Sequence, residues 1–211
     1  MATLADSLTY NYPPANAADL RVGVIGYGYW GPNVVRSLQS LENCRVAAIC
    51  DRNPSALQRA AKLHSDAELT SDTLALLTCS QMDAIAVVTP VSTHFELVRT
   101  ALQNGKHVFV EKPFTSTAEQ AEELIELAAR KRLKIMVDHT FLFTGAVRKI
   151  QQLVDDGTLG DLYYYDSTRV NLGLFQHDVN VLWDLAPHDL AIMDYIIREK
   201  PEAVVATGGR H

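Results

Sequence analysis

Three side chains with acid–base chemistry stand out by type and spacing: Lys112, Asp184 and His188. Lys112 lies between Glu111 and Pro113, and the aspartate and the histidine are four residues apart. A lysine ammonium can stabilise a developing alkoxide and lower the pKa of a hydroxyl that it contacts. A histidine oriented by a carboxylate is a common general base, because its pKa lies near neutral pH. Together these groups would suit removal of a proton from a hydroxyl.

Each of these groups also has a plainer interpretation. Lys112 could belong to an exposed ion pair with Glu111, which would contribute little to stability. The proline restricts the turn that presents the lysine, which favours the chemical interpretation. Pro187 predicts a helix beginning at that residue, with Asp184 in the preceding turn and within reach of the His188 imidazole. The alternative is an acidic helix start followed by a solvated histidine.

A glycine-rich turn precedes these groups in the chain. Residues 26–31 read GYGYWG after an apolar run and before a helical pattern, and Asp51 comes 20 residues after Gly31. The first glycine permits a tight turn, the second lets the backbone approach a pyrophosphate, and the third lets the helix pack on the strand. The helix N-terminus attracts phosphate, and the acid can accept hydrogen bonds from a ribose. The alternative is a glycine turn that only closes a βα unit.

This pattern predicts dinucleotide binding, and the residue after the second strand bears on which dinucleotide. The Asp51 carboxylate would repel a 2′-phosphate and so favours NAD, whereas Arg52 could accommodate that phosphate. We expect NAD, with NADP the less favoured cofactor. The expected cofactor-binding residues of this part of the chain are Gly26, Tyr27, Gly28, Tyr29, Trp30, Gly31, Asp51 and Arg52.

Two further segments follow predicted buried strands. Residues 88–94 read VTPVSTH, and ligands of open α/β sheets bind at the carboxyl ends of the strands. Thr89 and Pro90 would then lie at the nicotinamide ribose, whereas Ser92 or Thr93 could serve only as a helix N-cap. The remaining cofactor-binding residues that we expect are Thr89, Pro90, Thr93, His94, Glu111 and Lys112.

The elements that must position these residues alternate between strand and helix. The patterns predict strands at 22–25, 44–51, 84–88, 107–110 and 133–137, with helices at 54–63, 92–104 and 117–132. Repeated βα units give an α/β fold, a doubly wound parallel Rossmann sheet. We assign 1–20 to a flexible extension and 21–140 to the dinucleotide-binding domain. We assign 141–211 to the start of an α+β domain with an open, mainly antiparallel sheet, with helices at 146–155 and 187–198 and strands at 161–170 and 203–207.

Composition excludes several other classes. The 211 residues carry a net charge of -6 without a Lys/Arg block, so we expect no nucleic-acid or membrane partner. No apolar run approaches the ~20 residues of a membrane span, and the N-terminus does not resemble a secretory signal. Cys44, Cys50 and Cys79 fit free thiols of a cytoplasmic protein. The seven histidines show no paired spacing, so we expect no metal site.

The quoted motifs resemble those of the glucose–fructose oxidoreductase/inositol dehydrogenase (Gfo/Idh/MocA) family. They are GYGYWG at 26–31, Asp51, VTPVSTH at 88–94, EKP at 111–113 and DxxxH at 184–188. The resemblance implies that Lys112, Asp184 and His188 are catalytic and also contact the substrate. His188 would take the hydroxyl proton while a hydride leaves the sugar carbon for the nicotinamide. It further implies a dimer or tetramer formed through the second domain.

Residues 169–189 resemble the branch that oxidises UDP-N-acetylglucosamine or its uronate at the 3-position in surface-polysaccharide assembly. Arg169 is a candidate for binding a substrate carboxylate or phosphate, and Asn171 for binding a sugar hydroxyl. The alternative is that both are polar residues on an exposed strand face. Family members are longer than this chain, so we expect it to lack part of the second domain. A non-catalytic NAD(H)-binding or sensing protein and a free-sugar or polyol dehydrogenase remain alternatives.

Overall fold

The computed structural model describes residues 19–170 and 179–209, and the chain divides after Asp138 into two compact units. The expected extension at 1–20 lies almost wholly outside the described residues. The first unit contains strands β1 (Leu20–Ile25), β2 (Cys44–Cys50), β3 (Glu68–Thr70), β4 (Ala84–Val87), β5 (His107–Val110) and β6 (Ile135–Val137). Its helices are α1 (Gly31–Gln39), α2 (Pro54–Leu63), α3 (Thr73–Thr78), α4 (His94–Gln103) and α5 (Ala118–Lys131), with a 3-10 turn at Val91–Thr93.

The six strands of the first unit form one sheet in the order β3-β2-β1-β4-β5-β6, and every neighbouring pair is parallel. This is the doubly wound Rossmann arrangement, in which the strand order reverses between β1 and β4. The predicted fold class is confirmed for this unit. Ligands of such sheets bind where the order reverses, at the carboxyl ends of the strands.

Both faces of the sheet are buried, and alternation along β4 shows how the residues divide between them. Ala84 and Ala86 pack in the cluster with residues of α1 and α2, whereas Ile85 and Val87 pack in the cluster with residues of α3, α4 and α5. Successive side chains of a strand point to opposite faces, so an uninterrupted apolar run suits a strand covered on both sides.

Side-chain caps determine where several helices begin. Asn53 accepts a hydrogen bond from the Ser55 N–H at the start of α2, and Thr117 accepts one from the Gln120 N–H at the start of α5. Asp72 caps α3 in the same way. β3 and α3 are not predicted from the sequence, because elements of three and six residues show too few periods of a hydrophobic pattern.

The second unit contains a 3-10 turn at Thr140–Phe143 and the helices α6 (Gly145–Asp155) and α7 (Val181–Ile197). The predicted start of the last helix at Pro187 is wrong, because the Asn180 side chain caps the Trp183 N–H and begins the helix earlier. Pro187 lies inside α7. Within the described residues, no helix combines the length and apolar character that a bilayer span requires.

The strands predicted at 161–170 and 203–207 are absent from the described part of this unit. Almost every residue of both segments is exposed, so the alternating pattern at 161–170 does not bury one face. A strand is held by the hydrogen bonds of a neighbouring strand, and alternation in one segment does not provide that neighbour. The predicted antiparallel sheet is therefore not observed in the described residues.

We expect Ile85→Ala to lower the free energy of unfolding of the first unit by about 2–5 kcal/mol, because it removes a fully buried side chain from the central strands. Denaturant unfolding followed by circular dichroism measures the change. Ile125→Ala on α5 is the matched control, because that isoleucine is 57% exposed. Equal losses in the two variants would contradict the assigned core.

Candidate functional site

The glycine turn after β1 is the tightest part of the site. Gly26 has a φ of +101°, and a Cβ placed there would lie 2.1 Å from the Val88 carbonyl oxygen. A Cβ on Gly31 would lie 2.5 Å from the Gly26 carbonyl oxygen, so this residue lets α1 approach the turn. Gly28 differs from both, since no atom lies within 4 Å of the corresponding position. The turn therefore packs closely on the protein at its two ends and leaves open space at its middle glycine.

A cavity of about 340 Å³ lies beside this turn, at the carboxyl ends of β1, β2 and β4. Seven of the predicted cofactor-binding residues lie on its wall: Gly26, Gly28, Asp51, Arg52, Thr89, Pro90 and Thr93. The wall also includes residues that the sequence analysis did not identify: Ile25, Cys50, Thr73, Val88 and Leu97. Three of these are apolar side chains of ordinary core type, and Thr73 opens the helix that was not located, so no sequence signal marked them.

The Asp51 carboxylate is held in one orientation at the end of β2. Its Oδ2 accepts a hydrogen bond from the Tyr27 N–H at 2.7 Å, and its Oδ1 accepts one from the Asn53 N–H at 2.8 Å. The carboxylate therefore connects the glycine turn to the start of α2 and borders the cavity. Each oxygen has a second lone-pair region that can accept a ribose hydroxyl.

The three aromatic residues around the glycine turn have different environments. The Tyr27 side chain is fully buried, and its hydroxyl lies 2.8 Å from the His64 Nε2. Burial raises the pKa of this tyrosine and lowers the pKa of this histidine. A contact between Tyr27 and a cofactor is thus limited to its backbone. Tyr29 and Trp30 are 72% and 53% exposed, with ring centroids 5.5 Å apart in an edge-to-face pair.

The loop after β4 is held by hydroxyl groups. The Thr93 hydroxyl donates to the Pro90 carbonyl oxygen at 2.8 Å, and the Thr89 and Thr93 hydroxyl oxygens lie 2.7 Å apart. Thr93 precedes α4 but its side chain makes no capping hydrogen bond, so the alternative that it is only an N-cap is wrong. The two hydroxyls instead shape the cavity wall.

His94 is placed differently from the cofactor-contacting position that the sequence suggested. Its side chain is only 1% exposed, which leaves almost no surface for a ligand. Its Nε2 lies 2.7 Å from the Thr89 carbonyl oxygen, and its Nδ1 lies 3.0 Å from the Pro113 carbonyl oxygen. The ring therefore joins the loop after β4 to the loop after β5.

Glu111 and Lys112 follow β5, and both are half-buried. The peptide bond between Lys112 and Pro113 is cis. Burial, together with the charge of Asp138 and a hydrogen bond to it, raises the pKa of Glu111 to about 7. Asp138 directly follows β6, as Asp51 directly follows β2, and this position of an acid was the signal that could have identified it.

The second unit contains the other predicted catalytic residues. Asp184 and His188 both lie on α7, four residues apart and hence on the same helix face, whereas the sequence analysis placed Asp184 in a turn before the helix. The Phe141 ring packs edge-to-face against the His188 ring, with 4.7 Å between the centroids. The Phe141 ring therefore covers one side of the imidazole.

Arg169 forms a salt bridge with Asp189, which is next to His188 in the chain, and its guanidinium stacks 5.1 Å from the Phe141 ring centroid. Burial alone would raise the pKa of Asp189, but hydrogen bonds from Arg169 and Ser167 outweigh burial and lower it. Arg169 thus does not lie on a strand face. Asn171, the candidate for binding a sugar hydroxyl, lies outside the described residues.

The first unit fits a bound dinucleotide. The open space at Gly28 leaves room for a pyrophosphate, the first turn of α1 follows it, and the oriented Asp51 carboxylate lies at the same cavity. Backbone N–H groups at a helix N-terminus bind phosphate oxygens, and a carboxylate binds ribose hydroxyls. The arrangement can therefore bind both the pyrophosphate and a ribose of a dinucleotide.

Comparison with known proteins identifies similar chains. UDP-N-acetylglucosamine 3-dehydrogenase of Acidithiobacillus ferrooxidans is 31% identical over 193 residues, covering 90% of this chain and 58% of that protein. Inositol 2-dehydrogenase of Rhizobium meliloti is 24% identical over 193 residues, covering 89% of this chain and 58% of that protein. The chain thus spans a little more than half the length of these curated relatives.

A solved structure shows the same fold. Scyllo-inositol dehydrogenase from Lactobacillus casei, crystallised with bound NAD(H) and scyllo-inositol, matches with a TM-score of 0.72 at 24% identity. The match covers 84% of this chain and 56% of that chain. Residues 20–139 also match the Gfo/Idh/MocA profile, described as an oxidoreductase family with an NAD-binding Rossmann fold. The profile covers more than half of the chain, and the protein therefore belongs to the Gfo/Idh/MocA family of oxidoreductases, with an NAD-binding Rossmann domain.

Proposed function

We propose that the protein is an NAD-dependent dehydrogenase that oxidises a hydroxyl-bearing carbon of a UDP-linked amino sugar or of its uronic acid. The observation that carries the proposal is the cavity at the carboxyl ends of β1, β2 and β4, with Asp51 oriented at its edge. The similarity to UDP-N-acetylglucosamine 3-dehydrogenase supports the substrate class. We further propose that the protein acts in the cytoplasm.

The proposed roles of the residues follow from their chemistry. Backbone N–H groups of the glycine turn hold the pyrophosphate, and Asp51 accepts hydrogen bonds from the ribose. Lys112 binds the substrate hydroxyl and stabilises the alkoxide as it forms. His188 takes the hydroxyl proton, and Asp184, one helical turn away, favours the protonated imidazole that results. NAD supplies the hydride acceptor, so the hydroxyl becomes a carbonyl.

A second candidate is a polyol or free-sugar dehydrogenase, because Inositol 2-dehydrogenase of Rhizobium meliloti covers nearly the same share of this chain. Reduction of NAD by the full-length protein, followed by NADH absorbance, tests both candidates with UDP-hexoses, UDP-hexuronates, free hexoses and inositols. Turnover of inositol without turnover of UDP-sugars would select the second candidate. Binding of NAD(H) without turnover of any of these would favour a non-catalytic sensor.

We also propose that the protein forms a dimer or tetramer through the second unit. Large apolar side chains on both helices of this unit are exposed, among them Ile150 on α6 and Leu182 and Leu190 on α7. Large exposed apolar side chains of this kind are common at protein interfaces. Light scattering during size-exclusion chromatography of the full-length protein measures the mass, and a monomer would contradict the proposal.

We expect the protein to bind NAD more tightly than NADP, and Asp51→Ser to reduce this preference by about tenfold, because it removes a charge that repels a 2′-phosphate. Isothermal titration of both cofactors gives the ratio of the dissociation constants. Asp66→Ser is the matched control, since that aspartate is exposed on the loop before β3. Tighter binding of NADP by the unaltered protein would refute the cofactor preference.

We expect Gly28→Ala to fold normally and to bind NAD(H) about tenfold more weakly, because the added methyl group meets no protein atom within 4 Å but occupies the space left for the pyrophosphate. The melting temperature and the NADH dissociation constant are the two measurements. Gly145→Ala also faces open space, lies on α6, and should change neither quantity. Unaltered affinity in the Gly28 variant would place the pyrophosphate elsewhere.

We expect Lys112→Ala and His188→Ala each to abolish turnover while the NADH dissociation constant changes by less than about twofold. The two side chains are proposed to act on the substrate hydroxyl, so removing them leaves the pyrophosphate contacts intact. Lys62→Ala, at an exposed position of α2, is the control for loss of a lysine. A normal rate in either catalytic variant would remove that residue from the mechanism.

A further inference from the structure

Two carboxyl side chains lie beside each other at the carboxyl edge of the sheet, just beyond β5 and β6. These strands are parallel neighbours in which Val110 is opposite Val137, so Glu111 and Asp138 are the residues that directly follow the two strands. The Asp138 N–H donates to the Val110 carbonyl oxygen at 2.9 Å, which extends the ladder and holds its backbone. No role in the proposed reaction was assigned to Asp138 from sequence.

The two side chains are joined by a hydrogen bond. A carboxylate has no hydrogen to donate, so a hydrogen bond between two carboxyl groups requires a proton on one of them. Glu111 also accepts a hydrogen bond from the backbone N–H of Lys112, the next residue. Its carboxyl group therefore links β6 to the peptide that carries the proposed catalytic lysine.

We propose that Glu111 and Asp138 share one proton, and that this proton holds the segment from Glu111 to Pro113 in place, which makes Asp138 a positioning residue for Lys112. Loss of the proton leaves two negative charges in contact and removes the donor from the hydrogen bond between them. Glu111 then moves away from Asp138, so the segment loses its link to β6, while the Lys112 N–H, which favours the ionised carboxylate, keeps its hydrogen bond with Glu111. The inference rests on the proposed function only for the catalytic role of Lys112.

The environment of the pair determines the pH at which the proton is lost. Burial, as the largest cause, and Asp138 together raise the pKa of Glu111 to about 7, and Lys112 opposes the increase. Asp138 faces Glu111 from β6, and Lys112 adjoins it on the same turn. Because the pKa is raised in the folded state, the stabilising contribution is complete at acidic pH and is lost as the pH rises through about 7. The pair therefore releases its proton near neutral pH.

The test follows the carboxyl group and the lysine amide separately from turnover. Full-length protein labelled with ¹³C at the glutamate carboxyl groups and with ¹⁵N on lysine is titrated by NMR. One glutamate resonance should titrate near pH 7, disappear in Glu111→Gln, and titrate at a lower pH in Asp138→Asn, still above the ordinary glutamate range because the burial remains. The Lys112 amide resonance should shift with the same midpoint as this glutamate in the unaltered protein. Glu122→Gln, at an exposed position of α5, should leave both signals unchanged.

The possible outcomes separate this inference from the proposed function. Titration of every glutamate in the ordinary range would overturn it, as would a Lys112 amide that does not follow the midpoint near pH 7. If Asp138→Asn does not fold, the titration of the unaltered protein and of Glu111→Gln decides the question. Coupled titration without oxidation of any sugar would support the shared proton and reject the proposed function. Sugar oxidation without a glutamate that titrates near pH 7 would do the reverse.

Discussion

The close approach of two backbone segments at the centre of the sheet is the constraint on which the site depends. The turn after β1 passes so near the Val88 carbonyl oxygen that a Cβ at Gly26 would lie 2.1 Å from it. A side chain cannot fit there, and the positive φ would strain one in any case. The turn can therefore lie low over the end of β4, which places the start of α1 and the open space at Gly28 beside the cavity.

Carboxyl groups at this edge of the sheet have different surroundings, which suit them to different roles. The Asp51 carboxylate accepts hydrogen bonds from two backbone N–H groups at 2.7 and 2.8 Å, which fix its orientation. Glu111 lies against a second carboxyl group in a half-buried position, which disfavours two negative charges. The first is suited to hydrogen bonds with a ribose and the second to holding a proton. One edge of one sheet thus provides an acceptor of hydrogen bonds and a proton-holding pair.

The loops that follow β4 and β5 are connected to each other through a buried side chain. His94 lies within hydrogen-bonding distance of the Thr89 carbonyl oxygen on one loop and of the Pro113 carbonyl oxygen on the other. The segment that carries Lys112 is therefore held from α4 by this ring and from β6 by Asp138. A lysine proposed to stabilise a developing charge benefits from such support, since preorganised groups need not rearrange as the charge forms.

Local sequence was sufficient for the Rossmann unit apart from β3 and α3, because the evidence for its other elements lies in short contiguous patterns. The glycine turn, the acid after β2 and the predicted apolar strands depend on neighbouring residues, and each is found where the sequence predicts it. The prediction of antiparallel strands at 161–170 and 203–207 was wrong for the described residues, because a strand also needs a neighbouring strand to pair with. Pro187 misled in a similar way, since the cap at Asn180 began the helix earlier.

Other features were decided by tertiary structure alone. His94 is buried by residues from other parts of the chain. Arg169 pairs with Asp189, and Glu111 contacts Asp138, although the two members of each pair are distant in sequence. Residue type indicates what a group can do, whereas its surroundings decide whether it is ionised, buried or already paired. The chain's order of residues therefore identified the family and the cofactor domain, and the folded arrangement determined the state of each polar group within it.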